Sequence, residues 1–194
     1  MKIIAIEGLD KCGKYSQTKK LVEYLRLQKF KVEQTAFHRY DTPTGKLIQQ
    51  WLTKKWNVDQ ATIELVMAAD KQAQQHWFKR LEEKGIDFLI LDRYTSSQVA
   101  YSVASGMELE WVRSLQKNMK KPDLEIFIDI TVEESMKRKG KHNNGVNDRY
   151  EESRKTLEGA RTMFTQVPHI VTIDGMRGID AIHGDIVQAV QHLL

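Results

Sequence analysis

Lys2-Ile-Ile-Ala-Ile-Glu-Gly-Leu-Asp-Lys-Cys-Gly-Lys-Tyr-Ser-Gln17 is the stretch whose reading decides the fold. The apolar run Ile3 to Ile6 has the length of a buried central strand in a parallel sheet. It runs directly into Gly8-x-x-x-x-Gly13-Lys14, and Lys19 to Leu25 follows with helical spacing. Strand, glycine-bounded loop, lysine and helix in that order is the context in which a phosphate-loop match carries weight. The glycines permit a tight turn whose N–H groups point inward at phosphate oxygens. The following helix contributes its positive end, and Lys14 reaches the terminal phosphates.

One position breaks the pattern. After Lys14 the motif carries Ser or Thr, whose hydroxyl ligates magnesium; this chain has Tyr15, with Ser16 one place later. A phenol on a long rigid arm cannot stand where a serine hydroxyl stands. Either a carboxylate and water take over the metal, or its geometry is weakened. Asp92 and Tyr15 are the candidate metal ligands.

At 194 residues the chain is expected to be one domain, long enough for a sizeable core. Its 41% hydrophobic and 29% charged residues belong to a soluble globular protein. No apolar run approaches membrane-spanning length, and the first strand leaves no room for a signal peptide, so a cytoplasmic protein is expected. The single cysteine, Cys12, excludes an internal disulfide and any cysteine-cluster metal site. Lys plus Arg exceed Asp plus Glu by 30 to 26, an excess suited to phosphorylated small molecules and too weak to argue for nucleic acid. Lys137-Arg-Lys-Gly-Lys141 accordingly reads as a solvated loop or a phosphate-facing lid.

Short apolar segments recur at Lys31–Phe37, Phe88–Asp92, Leu124–Ile130 and His169–Asp174. Helical spacing fills the intervals: Gly45–Leu52, Ala61–Glu83, Ser96–Ala104, Leu109–Met119, Val132–Arg138, Glu151–Thr165 and Ile179–Leu193. Alternating strands and helices predict an α/β protein, a three-layer α/β/α sandwich around a five-stranded parallel sheet. Ligands of such sheets bind at the carboxyl ends of the strands. Asp10, Arg39, Asp92, Arg93 and Asp174 are the polar residues expected at that edge.

With Asp92-Arg-Tyr94, Ser97, Gln98 and Tyr101 the pattern becomes specific: the chain resembles the thymidylate kinase family, nucleoside monophosphate kinases of the phosphate-loop superfamily. Glu7 to Lys14 with Gln17, Ala68-Ala-Asp70, Ala100-Tyr101, Lys121-Pro-Asp-Leu124 and Asp148-Arg-Tyr-Glu151 match in the family's order and spacing. Each is weak singly; together they cover nearly the whole chain.

The resemblance implies one thymidylate-kinase-like domain over residues 1–194, with a lid at about 138–149. It implies ATP-dependent phosphorylation of dTMP to dTDP with Mg2+, and a homodimer formed through helices on one face of the sheet. ATP would be held by Gly8, Leu9, Asp10, Lys11, Cys12, Gly13, Lys14, Tyr15 and Ser16, with Arg138 stacked on adenine. The substrate would be held by Asp10, Phe37, Arg39, Tyr40, Met67, Lys71, Arg93, Ser97, Gln98 and Tyr101. Among these Arg93 would clamp the substrate phosphate, Tyr101 would pack under the deoxyribose, and Gln98 would read the base edge. The catalytic set would be Lys14, Asp10, Lys11, Arg93 and Arg149. Phosphoryl transfer needs mainly positioning and charge neutralisation, and the acceptor is the substrate's own phosphate, so no covalent nucleophile is required.

Besides Tyr15, three residues depart from the family pattern. Met67 stands where the family has an aromatic ring on the base, and Lys71 replaces an arginine that bonds the base carbonyl. His38 replaces a proline in the loop after the second strand. A substituted pyrimidine, such as dUMP or 5-substituted dUMP, or a broader set of deoxynucleoside monophosphates, therefore stays open. So do a deoxynucleoside kinase and a nucleotide-binding protein without catalysis.

Overall fold

The computed structural model describes residues 1–138 and 148–194. The expected lid falls partly outside them, since Lys139, Gly140 and Lys141 and the run to Asn147 are not described. In chain order the elements are β1 (Lys2–Glu7), α1 (Lys14–Leu27), β2 (Val32–Ala36), α2 (Pro43–Leu52), α3 (Gln60–Glu83) and β3 (Phe88–Asp92). They continue with α4 (Thr95–Ala104), α5 (Leu109–Leu115), β4 (Leu124–Asp129), α6 (Val132–Lys137), α7 (Arg154–Thr165), β5 (Val171–Asp174) and α8 (Ile179–Val190).

All five strands are parallel, in the order β2-β3-β1-β4-β5. The run from Ile3 to Ile6 lies at the centre because both its faces are apolar. Ile3 and Ala5 pack with Phe78 and Leu81 of α3, while Ile4 and Ile6 pack with Leu21 of α1 and Ile186 of α8. A sheet covered on both faces has no solvated side, so its central strands carry no hydrophobic–polar alternation. A third cluster joins α2 to α3 through Ile48, Trp51, Leu52, Ile63 and Met67. Among the described residues no helix is long and apolar enough to cross a membrane.

Helix starts follow local chemistry. Thr42 caps α2 by accepting from the Gly45 N–H, with Pro43 in the first turn, and Asp59 caps α3 through the Thr62 N–H at 2.8 Å. The helix expected from Glu151 begins only at Arg154, because Ser153 takes the cap position and accepts from the Thr156 N–H. Similarly, β5 begins at Val171 rather than His169, whose φ of 64° places it in a left-handed turn. The segment expected as helix to Met119 is helical only to Leu115, and α8 ends at Val190 before a single 3-10 turn.

Two glycines are required by close approach. A methyl on Gly8 would sit 2.7 Å from both Cys12 Sγ and the Ile128 carbonyl oxygen, at a φ of 149°. One on Gly45 would meet the Arg39 carbonyl at 1.8 Å, so the loop after β2 can lie on α2 only because that position is bare.

Candidate active site

The carboxyl edge of the sheet gathers the loops after β1, β2 and β3, and two cations there, Lys14 and Arg93, meet on one carbonyl oxygen. Lys14 Nζ donates to the carbonyls of Leu9 at 2.8 Å and Gly8 at 3.3 Å. Arg93 donates through one terminal nitrogen to the same Gly8 oxygen at 2.9 Å and to Ser97 Oγ at 3.0 Å. At 3.3 Å and 2.9 Å from one atom, the lysine and arginine nitrogens lie no more than 6.2 Å apart. The other Arg93 nitrogen reaches Asp10 Oδ1 at 2.5 Å, and Tyr101 donates to Asp10 Oδ2 at 3.0 Å. Arg93 adopts a φ of 67°, unusual for a residue with a side chain and common where a site dictates the backbone.

The phosphate loop is built as an anion cradle. No side chain caps the start of α1, and Gly13 precedes it at a φ of 103°, so the first-turn N–H groups face outward. Lys11 pairs with Glu151 at 3.2 Å. Arg138 donates to the Lys11 carbonyl at 3.1 Å and to Glu134 at 2.7 Å, which sets it against the ATP side of the loop. Tyr15 is 59% exposed, and its ring lies 4.7 Å under Lys19 Nζ, so the phenol engages its own helix. Ser16 is exposed as well, whereas Cys12 is buried.

Beside the loop opens a cavity with about 570 Å³ of empty space, mouth included. Asp10, Phe37, Tyr40, Met67, Lys71, Arg93, Ser97, Gln98 and Tyr101 all line it. Arg39 alone of the expected substrate residues does not. Its guanidinium is forked onto Asp41 at 2.8 and 3.2 Å and reaches Gln74 at 3.4 Å. Arg149 is also turned aside, donating to the Trp51 carbonyl at 2.6 Å and to Asn57 at 2.9 Å over the Trp51 ring. Asp174 caps the turn after β5 by accepting from the Met176 N–H and takes no part in the cavity.

Other residues of the segments quoted for the resemblance also build the site. Glu7 ends the apolar first strand, and its buried carboxylate accepts from the Tyr94 N–H at 2.8 Å and from the Ser97 hydroxyl. A carboxylate inside an apolar strand was the readable clue. Asp70 ties down the loop after β2, accepting from Thr42 Oγ1 at 2.9 Å, Thr44 Oγ1 at 2.8 Å and the Arg39 N–H at 3.1 Å, with His38 Nδ1 also at 3.1 Å. Asp148 and Tyr150 close the cavity from the segment before α7.

Electrostatics separate these acids. Burial alone would raise the Asp10 carboxyl, but Arg93 and then Lys14 outweigh it and hold it at about 2. Burial lifts Glu7 to about 7, with Glu125 adding to the rise and Ser97 opposing it. Burial and the neighbouring Asp10 raise Asp148 to about 7. Burial pulls the Lys71 ammonium down to about 8 against the attraction of Glu64, Asp70 and Glu7. The cavity thus offers fixed positive charge at its phosphate-loop end and a poised lysine deeper in.

A magnesium ion would fit this donor set in one way. Among the described residues no group of three or more His, Cys, Asp or Glu side chains could hold a metal. Mg2+ bound with a triphosphate needs only one or two carboxylates besides phosphate oxygens and water. Asp92, partly exposed at the carboxyl end of β3 and paired in register with Ile6, is one carboxylate at that edge, while the Tyr15 ring lies against Lys19 of its own helix.

Comparison with known proteins shows the family. A family model described as thymidylate kinase matches residues 6–186. A probable thymidylate kinase of Thermococcus onnurineus is 33% identical over 98% of each chain. Human thymidylate kinase is 31% identical over 95% of this chain and 87% of its own. The solved thymidylate kinase of Candida albicans superposes with a TM-score of 0.85 at 27% identity, covering 98% of this chain and 91% of that one.

Proposed function

The chain belongs to the thymidylate kinase family, and from that premise we propose how its residues carry out the transfer of a phosphoryl group from ATP to dTMP. The activity is that of a nucleoside monophosphate kinase. The observation that carries the residue assignment is the shared Gly8 carbonyl. It holds the phosphate-loop lysine and the cavity's arginine nitrogens no more than 6.2 Å apart, which supports a donor and an acceptor phosphate meeting between them.

ATP phosphates replace the loop carbonyls as partners of the Lys14 ammonium and take up the first-turn N–H groups of α1. Arg138 lies on that side, and Lys11 supplies charge there without a guanidinium's fork. The dTMP phosphate is held by Arg93, whose own position is fixed by Ser97 and Asp10. An ionised phosphate oxygen is already a competent acceptor, so no side chain need remove a proton. Asp10, kept ionised, orients Arg93 and Tyr101 and faces the sugar. Mg2+ carried in with ATP would supply charge neutralisation between the transferring phosphates, held by Asp92 directly or through water. Arg149 would enter from the lid segment, and Arg39 would turn inward once a substrate phosphate offers a better partner than Asp41.

The base end of the cavity supports breadth among bases that present a ring N–H beside a carbonyl. Met67, 4% exposed, is a flexible thioether in place of a stacking ring, and Lys71 binds a carbonyl through a point charge. The solved Candida albicans relative is itself described as having broad substrate specificity. A panel of dTMP, dUMP, 5-substituted dUMP, dCMP and dGMP with ATP tests this, and a strong preference for dTMP alone refutes the breadth. The whole chain acts as one domain in the cytoplasm, as a homodimer. Leu47 on α2 and Leu65 on α3, both exposed, offer that dimer an apolar contact. Sedimentation at micromolar concentration tests it, and a monomer refutes it.

A further inference from the structure

Behind the cavity wall one chain of hydrogen bonds links α3 to α4. Lys71 Nζ donates to Gln98 Oε1 at 3.1 Å. Gln98 Nε2 donates to the Glu64 main-chain carbonyl and to Glu64 Oε2, both at 2.9 Å. The remaining Glu64 oxygen accepts from Gln60 Nε2 at 2.7 Å. Glu64, Lys71 and Gln98 are 0%, 1% and 4% exposed, so the bonds among these three are shielded from water.

An ammonium only donates and a carboxylate only accepts. The amide caught between them therefore has one orientation, carbonyl toward Lys71 and NH2 toward Glu64. Both amide hydrogens are consumed by Glu64, which leaves Gln98 a carbonyl lone pair for the cavity and Lys71 its remaining N–H groups. The wall presents an acceptor beside a donor.

Building on the dTMP reading, we propose that Glu64 is a positioning residue that sets base specificity by locking the polarity of Gln98 from behind. Acceptor beside donor complements the N3–H and O4 of a pyrimidine imide. It opposes cytosine, whose N3 accepts and whose 4-amino group donates. A mismatch of that kind leaves two buried polar groups of the protein without partners, which costs more than a lost contact.

Glu64 also bears on the charge of Lys71. The groups facing that ammonium are Glu64 and Asp70 on α3, Glu7 at the end of β1, His38 after β2 and Arg93 after β3, and Glu64 gives the strongest attraction. Without it Lys71 loses its proton at lower pH, and a neutral amine can accept as well as donate.

The test is the ratio of kcat/KM for dTMP to that for dCMP, with ATP, from about pH 6.5 to about pH 9. In the unaltered enzyme Lys71 is charged below about 8 and neutral above, so the ratio holds at neutral pH and falls on the alkaline side. Glu64→Gln lowers the neutral-pH ratio about tenfold and moves the fall to lower pH. Glu64→Asp, which keeps the charge, retains more of the ratio than Glu64→Gln. A variant that loses both substrates in equal proportion, with the ratio and its pH profile as in the parent, overturns the proposal. Should circular dichroism show Glu64→Gln unfolded, Glu64→Asp decides, since its shorter arm draws the carboxylate off Gln98 Nε2, and a ratio equal to the parent's overturns the proposal. A parent enzyme that phosphorylates no deoxynucleoside monophosphate removes the kinase reading and this inference together. Turnover of dTMP with an unmoved ratio removes the inference alone.

Discussion

Replacing Arg93 by lysine preserves the charge and removes the fork, and hydrogen-bond counting gives the size of the effect. The guanidinium has five N–H donors, and three are engaged with Gly8 O, Ser97 Oγ and Asp10 Oδ1. Two remain for the acceptor phosphate. An ammonium has three N–H donors in all, so it either holds the anchors and none of the phosphate, or the phosphate and too few of the anchors. Two charge-assisted bonds are forfeited, each worth roughly 1.5–3 kcal/mol. At the low end that is about 3 kcal/mol, or about a hundredfold in kcat/KM for dTMP. ADP release in a coupled assay, with dTMP and ATP varied separately, places the loss on the dTMP side. Arg93→Met goes further, because it also removes the cation that holds the Asp10 carboxyl at about 2 against burial. A change in kcat/KM for dTMP below about threefold refutes the assignment, as does a loss lying wholly in the KM for ATP.

Lys14→Met removes the phosphate-loop ammonium and lowers ADP formation by about a thousandfold or more, with activity within about tenfold of the parent as the refuting result. Gly8→Ala pushes a methyl against Cys12 Sγ and a main-chain carbonyl at a φ of 149°, and costs about 1–3 kcal/mol in urea unfolding. An unshifted midpoint would show that the loop can move off β4. Tyr15→Ser restores a short hydroxyl beside Lys14 and lowers the Mg2+ concentration for half-maximal rate several-fold, read by titration at saturating ATP; a rise would make the phenol a metal partner. Met67→Phe fills the base end with a ring and lowers kcat/KM for 5-substituted dUMP relative to dTMP by about tenfold, measured on the substrate panel.

By itself the sequence determined the layered α/β architecture, because the apolar runs that become β1 and β3 are too short for core helices and too continuous for solvated strands. It also marked the phosphate loop and the Arg93 cluster, since glycine spacing and strand-end charges are local patterns. Helix starts at Arg154 and strand starts at Val171 were displaced from the periodic reading by single residues whose cap or turn geometry overrides hydrophobic spacing.

Only the tertiary structure decided which side chains share an atom or a bond. Lys14 and Arg93 stand far apart in the chain and meet on the Gly8 carbonyl because β1 and β3 are paired neighbours ending at one edge. Glu64 reads in the sequence as one more polar residue of a long helix; its burial, and its grip on Gln98 of α4, follow from how α3 and α4 pack. Arg39 and Arg149 show the converse: both were expected at the site from the sequence, yet their guanidiniums are engaged with Asp41, Trp51 and Asn57. A side chain's partner is set by what the fold brings within about 3 Å, and residue order along a chain does not encode that distance.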